Sequence, residues 1–235
     1  MDRYALTFNV QPGTEEKAAD ILSDYPRPGT VVDDETRLLS TTVFMKGNVI
    51  VRVFDVEGPL EKIMGHLGRQ PEIRAVEERL NPFLEEERDV TSRDGARQFF
   101  QRAMMERVTH RAAPQGPGPG TPRYALLYPF RPGAGGEALD LFRMGGDPPP
   151  QAGATRLLST TVFRKDDLVV RVFEIDGALD EAIEHLVRAS ALFDVCSRLQ
   201  PLLAETVDLT NEDGLRRFFQ DQMMTVLTHR HADER

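Results

Sequence analysis

The sequence predicts an α+β protein made of two ferredoxin-like repeats packed sheet to sheet, a pseudo-dimeric α/β barrel within one chain. Three observations predict it. First, Arg37-Leu38-Leu39-Ser40-Thr41-Thr42-Val43-Phe44 returns unchanged as Arg156-Leu157-Leu158-Ser159-Thr160-Thr161-Val162-Phe163, so one unit is written twice. Second, each copy orders its elements β-α-β-β-α-β and adds a closing helix, which is the ferredoxin-like order. Third, the strand after the repeated one is apolar on both faces, with Val49, Val51 and Val53 on one and Ile50 and Phe54 on the other. Helices of the same copy cover one face. The second face needs a cover too, most simply the sheet of the other copy.

The opening strand runs from Tyr4 to Val10, with Tyr4, Leu6, Phe8 and Val10 in step at period two. Tyr124, Leu126, Tyr128 and Phe130 repeat the pattern. Pro12-Gly13 and Pro132-Gly133 end these strands in turns. A helix over about 14–23 buries Ala18, Ile21 and Leu22, matched by Ala138, Leu141 and Phe142. Proline- and glycine-bearing connections follow at 24–36 and 143–155, the second carrying Pro148-Pro149-Pro150. Loops of this length in a compact domain suit lids. They are where the copies differ most, which predicts unequal entrances and unequal substrate binding.

The repeated strand and Val49–Phe54 then form a hairpin, matched by Val169–Phe173. A second helix starts at Pro59, with Leu60, Ile63, Met64 and Leu67 on one side. A short helix reaches Pro82, and a short fourth strand is expected near Leu84–Val90. Thr91-Ser92 and Thr210-Asn211 offer caps for the closing helices. Those helices carry Phe99, Phe100, Met104 and Met105, repeated as Phe218, Phe219, Met223 and Met224, and are read as ending in Thr-His-Arg at 109–111 and 228–230. The Gly-Pro run within 112–122 reads as a linker. The predicted division is therefore 1–111, linker 112–122, and 123–235.

Composition excludes several classes. With 40% apolar and 29% charged residues the chain is an ordinary globular protein. A formal charge of −9 repels nucleic acid. The single cysteine, Cys196, rules out an internal disulfide and suits a reducing cytoplasm. No signal-peptide pattern or membrane-length apolar run is expected. The histidines are scattered without metal-ligand spacing, so no metal site is expected.

The duplicated Leu-Leu-Ser-Thr-Thr-Val-Phe strand, Val-Arg-Val-Phe strand and Thr-His-Arg segment resemble the SchA/CurD-like family. These proteins are encoded with aromatic, type II polyketide synthases for spore pigments and related polyphenols. The resemblance covers nearly all of both halves. It implies an accessory step on an aromatic polyketide, with other synthase components as possible partners and a monomer or homodimer as the assembly. Proteins of similar architecture include cofactor-free monooxygenases that form quinones and small polyketide cyclases. A nicotinamide site has been suggested for the family, but no strand here leads into Gly-x-Gly-x-x-Gly.

The residues best suited to chemistry are Arg52 and Arg171, each in mid-strand beside Thr41 or Thr160 if the hairpin loop has two residues. On that register Arg52 shares a face with Leu39, Thr41 and Val43. A guanidinium beside a hydroxyl in an apolar pocket can hold a phenolate, an enolate or developing superoxide. The alternative is a structural ion pair with an Asp or Glu. His66 and His185 occupy equivalent margins of the second helix, where an imidazole can take a phenolic proton; the alternative is an ordinary helix-edge histidine. His110 and His229 are read as helix-end cations. Phe54, Phe173, Phe100, Phe219, Met104 and Met223 are core residues that can also wall a pocket for a planar polycycle. Three functions compete: an oxygenase using molecular oxygen and no cofactor, a non-oxidative cyclase or aromatase, and a polyketide-binding scaffold.

Overall fold

The computed structural model describes residues 1–89, 92–144, 155–188 and 190–232. The chain forms two compact units, one of Met1–Met105 with Thr225–Arg235, the other of Glu106–Met224. Each unit is an antiparallel sheet with helices, as the α+β reading requires.

The first unit holds strands β1 (Asp2–Asn9), β2 (Val31–Asp33), β3 (Thr36–Lys46) and β4 (Val49–Glu57). Its helices are α1 (Glu15–Ser23), α2 (Leu60–Leu67), α3 (Pro71–Leu80) and α4 (Arg93–Ala103). The second unit begins with β5 (Glu106–Ala112) and continues through β6 (Arg123–Pro129), α5 (Gly135–Met144), β7 (Arg156–Lys165) and β8 (Leu168–Asp176). It closes with α6 (Leu179–Val187), α7 (Ser190–Leu199) and α8 (Glu212–Gln222), after which β9 (Thr225–His231) returns to the first sheet. The second sheet runs β5-β7-β8-β6, and the first runs β1-β4-β3 with both β2 and β9 on the outer edge of β3.

The repeat boundary and the spatial boundary therefore differ. The sequence repeats divide at 112–122, but β5 pairs with β7, from Glu106↔Arg164 to Ala112↔Ser159. Likewise β9 pairs with β3, from Ser40↔His231 to Met45↔Thr225. Each repeat supplies the edge strand of the other repeat's sheet.

Two sequence expectations about the elements need correction. Thr-His-Arg does not end a helix: α4 and α8 stop at extended residues Met104 (ψ 135°) and Met223 (ψ 129°). The β-branched Val108-Thr109 and Val226 then continue as strand. His110 and His229 thus lie in sheets, where their Nδ1 atoms meet Thr161 Oγ1 at 2.9 Å and Thr42 Oγ1 at 2.8 Å. The second correction concerns 84–90. Leu84 makes a single bridge to Val10, and the acidic Glu85-Glu86-Glu87 leaves the sheet. Val90 lies outside the described residues, as do 145–154 of the second lid loop.

Other expectations hold. The hairpins close with two-residue loops, Gly47-Asn48 and Asp166-Asp167, whose first residues have φ 54° and 52°. Positive φ is what such tight turns require, and Asp tolerates it better than most residues. Ser92 and Asn211 cap α4 and α8, accepting from Gly95 N and Gly214 N at 3.0 and 2.8 Å. A register shift between Leu38 and Ser40 leaves Leu39 in a bulge, so Leu38 rather than Leu39 joins the Arg52 face.

Both faces of the central strands are buried. On the face away from the helices, Arg3 donates through Nε and Nη2 to the two Asp55 carboxylate oxygens at 2.6 and 3.0 Å, and Ser40 Oγ donates at 2.8 Å. The second unit repeats this arrangement, with Arg123 Nε donating to Glu174 at 2.7 Å and Ser159 Oγ to the same carboxylate. A buried pair of charges survives only when its remaining polar atoms are also satisfied, which the serine helps to do.

Candidate active site

The site forms on the helix-facing side of the first sheet. Antiparallel pairing sets Val43 opposite Arg52 and Thr41 opposite Phe54, so these four share one face. On β1, Leu6 lies opposite Arg52 and Phe8 opposite Ile50. Period-two alternation thus brings one arginine into an otherwise apolar wall. The wall is roofed by α1, α2, α3 and α4, and a cavity of about 80 Å³ opens beneath them.

Arg52 is half-buried there. Its Nε donates to Thr41 Oγ1 at 3.2 Å and its Nη2 to Tyr25 Oη at 3.4 Å, with the guanidinium 5.0 Å from the centre of the Phe54 ring. Among the described residues no carboxylate reaches Arg52, so the structural ion pair considered from the sequence is not what it makes. Its positive charge is held by two hydroxyls and a ring face, which leaves it available to an anion. Tyr25 is fixed in turn by Arg230 of β9, which lies over its ring at 4.1 Å and donates to its carbonyl at 2.6 Å.

A second cation also lines the cavity, one that the sequence analysis missed. Arg88 is 6% exposed, and its Nη2 lies 2.5 Å from Glu77 Oε2. Its guanidinium lies over Phe8 and Phe99, 4.6 and 4.4 Å from their ring centres, where the two rings meet edge to face at 6.2 Å. Burial pushes its pKa down; Glu77 opposes that shift, and the nearby charge of Arg52 adds to it. The contact with Glu77 is out of line for a hydrogen bond, so Glu77 Oε2 and Arg88 Nε are both buried without a hydrogen-bonding partner. The signal was present in the sequence: aligned at Leu80-Asn81-Pro82 and Leu199-Gln200-Pro201, Glu77 and Arg88 fall on Cys196 and Val207.

Of the expected site residues in the first unit, Arg52, Phe54 and Phe100 line the cavity and Thr41 holds Arg52. Met104 is the extended residue that stops α4 and bridges to Leu6. His66 lies on α2 between the lining residues Met64 and Leu67 but is not itself in the wall. Its Nε2 meets the Gly29 carbonyl at 3.1 Å, tying the 24–36 loop to α2 together with Gln70. A carbonyl can only accept, so Nε2 carries the proton and Nδ1 is the basic nitrogen.

In the second unit, Arg171 Nε donates to Thr160 Oγ1 at 3.0 Å. Phe173 stacks on Tyr124 at 5.6 Å, and Phe219 packs on Phe218 at 6.0 Å. Met223 bridges to Leu126, and His185 is half-buried on α6. Burial pushes the Cys196 thiol up to about 12, opposed by the charge of Arg171, so it is no nucleophile at neutral pH. Among the described residues no helix is long and apolar enough to cross a membrane.

Comparison with known proteins follows the duplication. The family model for the SchA/CurD like domain matches twice, over residues 1–113 and 121–232. The 42.8 kDa protein of the whiE locus of Streptomyces coelicolor is 46% identical over 180 residues, which is 77% of this chain and 45% of that protein. Polyketide synthase CurD of Streptomyces cyaneus is 46% identical over 176 residues, 74% of this chain and 48% of that protein. The chain thus spans about half the length of the curated relatives it matches. A crystal structure of a candidate monooxygenase from Fusobacterium nucleatum matches 97% of this chain and 93% of its own, with a TM-score of 0.50 at 9% identity. At that identity the likeness is one of fold.

Proposed function

The chain belongs to the SchA/CurD-like family, and from that premise we propose that it is a tailoring enzyme of aromatic polyketide biosynthesis. The reaction is a cofactor-independent monooxygenation of a polycyclic polyphenol; of hydroxylation and quinone formation, the quinone is the product that balances without an added reductant. The observation that carries this reading is Arg52: a half-buried guanidinium in an apolar cavity, held by Thr41 and Tyr25 rather than by a carboxylate. Relatives named for a polyketide synthase and for the whiE locus support the substrate class.

In this scheme the polyphenol lies against Phe54 and Phe100. His66 Nδ1 takes a phenolic proton, and Arg52 holds the resulting oxyanion. The electron-rich anion passes one electron to molecular oxygen, and the superoxide and aryloxyl radicals combine as a peroxide. Loss of water from a peroxidised methylene carbon leaves a carbonyl, so the substrate loses two hydrogens and gains one oxygen atom while the second oxygen atom leaves as water. The protein supplies a dry cavity, a cation and a base, which are terms of positioning and charge stabilisation.

The test is turnover by the chelator-treated protein under labelled oxygen, with the accumulated intermediate of a producing strain as substrate. One labelled oxygen atom in the product, without added flavin, haem, metal or nicotinamide, is the expected result. Turnover at the same rate without oxygen, with loss of water from the substrate, would replace this reading by the cyclase. An unchanged substrate would leave the scaffold.

A further inference from the structure

We propose that Glu77 and Arg88 form a donor–acceptor clamp in the cavity that reads two oxygens on one aromatic ring system. A hydroxyl of the ligand donates to Glu77 Oε2, and an oxyanion or carbonyl oxygen accepts from Arg88 Nε. The inference rests on the reading of this cavity as the polyketide site and adds to it which pattern of oxygenation the site selects.

Two independent observations carry it. The first is the pair of orphaned atoms. Glu77 and Arg88 both line the cavity and are in ionic contact at 2.5 Å, yet Glu77 Oε2 and Arg88 Nε are buried without a hydrogen-bonding partner, so a ligand reaches them by a small turn of either side chain. A buried polar atom left unsatisfied is costly, and one acceptor beside one donor is the complement of a ligand bearing a hydroxyl and a second oxygen. Phe8 and Phe99, themselves in edge-to-face contact at 6.2 Å, flank the guanidinium at 4.6 and 4.4 Å, which limits its movement before a ligand arrives.

The second observation is an internal control. Apart from β2, the second unit builds the same sheet order and the same helices among the described residues, with Cys196 and Val207 at these two positions. There the counterparts of Phe8 and Phe99, Tyr128 and Phe218, pack at 5.7 Å, much as Phe8 and Phe99 do at 6.2 Å, so the aromatic pair is kept without the cation. The fold does not require the charges, and buried ion pairs are commonly replaced by apolar side chains without loss of stability. What the pair adds to the first unit is polarity inside a cavity that also holds Arg52.

The experiment is calorimetric titration of the full chain at neutral pH with naphthalene, naphthol and naphthoresorcinol. The wild type is expected to bind naphthoresorcinol at least about tenfold tighter than naphthalene, as hydrogen bonds to charged groups imply. Glu77→Cys combined with Arg88→Val, the residues of the second unit, is expected to remove that preference while naphthalene still binds. Arg88→Lys keeps the charge and removes Nε, so it should lose the preference as well; it serves if the double variant does not fold. Equal affinity of the wild type for all three probes, or a preference that persists in the variants, overturns the clamp and leaves the polyketide reading standing. No binding of any probe overturns both.

Discussion

The two units solve one packing problem differently on the helix side of their sheets. In the second unit a single cluster of buried apolar residues includes Phe130, Leu141, Val169 and Leu199 together with Leu126, Phe173, Ile183 and Phe218. In the first unit the corresponding residues divide into one cluster around Val10, Ile21, Ile50 and Leu80 and another around Leu6, Phe54, Ile63 and Phe99. The cavity lies between these clusters and is lined from both. Two exchanges account for the difference. Leu22 becomes Phe142, which packs on Tyr128 at 5.1 Å and on Phe130 at 6.4 Å. Glu77 and Arg88 become Cys196 and Val207. In the first unit Leu22, Glu77 and Arg88 line the cavity, whereas in the second Phe142, Cys196 and Val207 join one apolar cluster. The lesson is that a duplicated fold can place charge in one copy where the other keeps apolar side chains.

The comparison can be broken at what the units share. The Arg3–Asp55 and Arg123–Glu174 pairs are buried in both, so they belong to the scaffold. Asp55→Ala and Glu174→Ala should each cost about 3–5 kcal/mol by leaving a buried guanidinium uncompensated. Chemical denaturation measures this, and a marked inequality between the two variants would show that the units differ in scaffold as well as in site.

It can be sharpened where the units diverge. Arg52→Met should lower turnover about 100-fold or more, as loss of an oxyanion-stabilising group does, whereas Arg171→Met should leave it within about threefold. Steady-state rates decide. Equal losses would mean that both units work. His66→Ala distinguishes the base: an unchanged rate beside a crippled Arg52→Met would move proton removal to Glu77, which does line the cavity.

The smallest effect concerns the position at which Glu77 faces Cys196 in the alignment. With its thiol held up at about 12 against an ordinary 9.0, Cys196 stays protonated in the folded chain. Iodoacetamide at neutral pH should spare it until the chain unfolds. Above the ordinary thiol pKa the unfolded chain releases a proton that the folded chain keeps, so this group favours folding less as pH rises from there toward the folded value. Thiol labelling against pH tests the sign, and rapid labelling of the native chain would place Cys196 in an open pocket like that of the first unit.

Much of this was legible in the chain. The identical octapeptide announced two units, and period-two apolar residues located β1, β3 and β4. The two-residue hairpin loop placed Arg52 beside Thr41. What was hidden had physical reasons. Strands β5 and β9 carry polar and charged residues through Thr-His-Arg, so alternation was too weak to separate them from the amphipathic helix before them. Which sheet a strand joins is a long-range choice that no local pattern contains. The bulge at Leu39 moved one register position that strict alternation could not supply. Glu77 and Arg88 lie in segments dense with charge, and only the mismatch with Cys196 and Val207 distinguishes them from solvated neighbours.

The reciprocal use of edge strands has a consequence for how the chain assembles. A single repeat carries a strand that its own sheet does not use and lacks the one that its sheet needs. Two separate repeats would have to find each other in solution, and completion of either sheet would depend on concentration. Joining them through 112–122 makes both encounters intramolecular, at an effective concentration on the order of millimolar for a short flexible tether. Cleavage within that segment should therefore leave a complex that holds at high protein concentration and fails on dilution, a property that the uncut chain does not share.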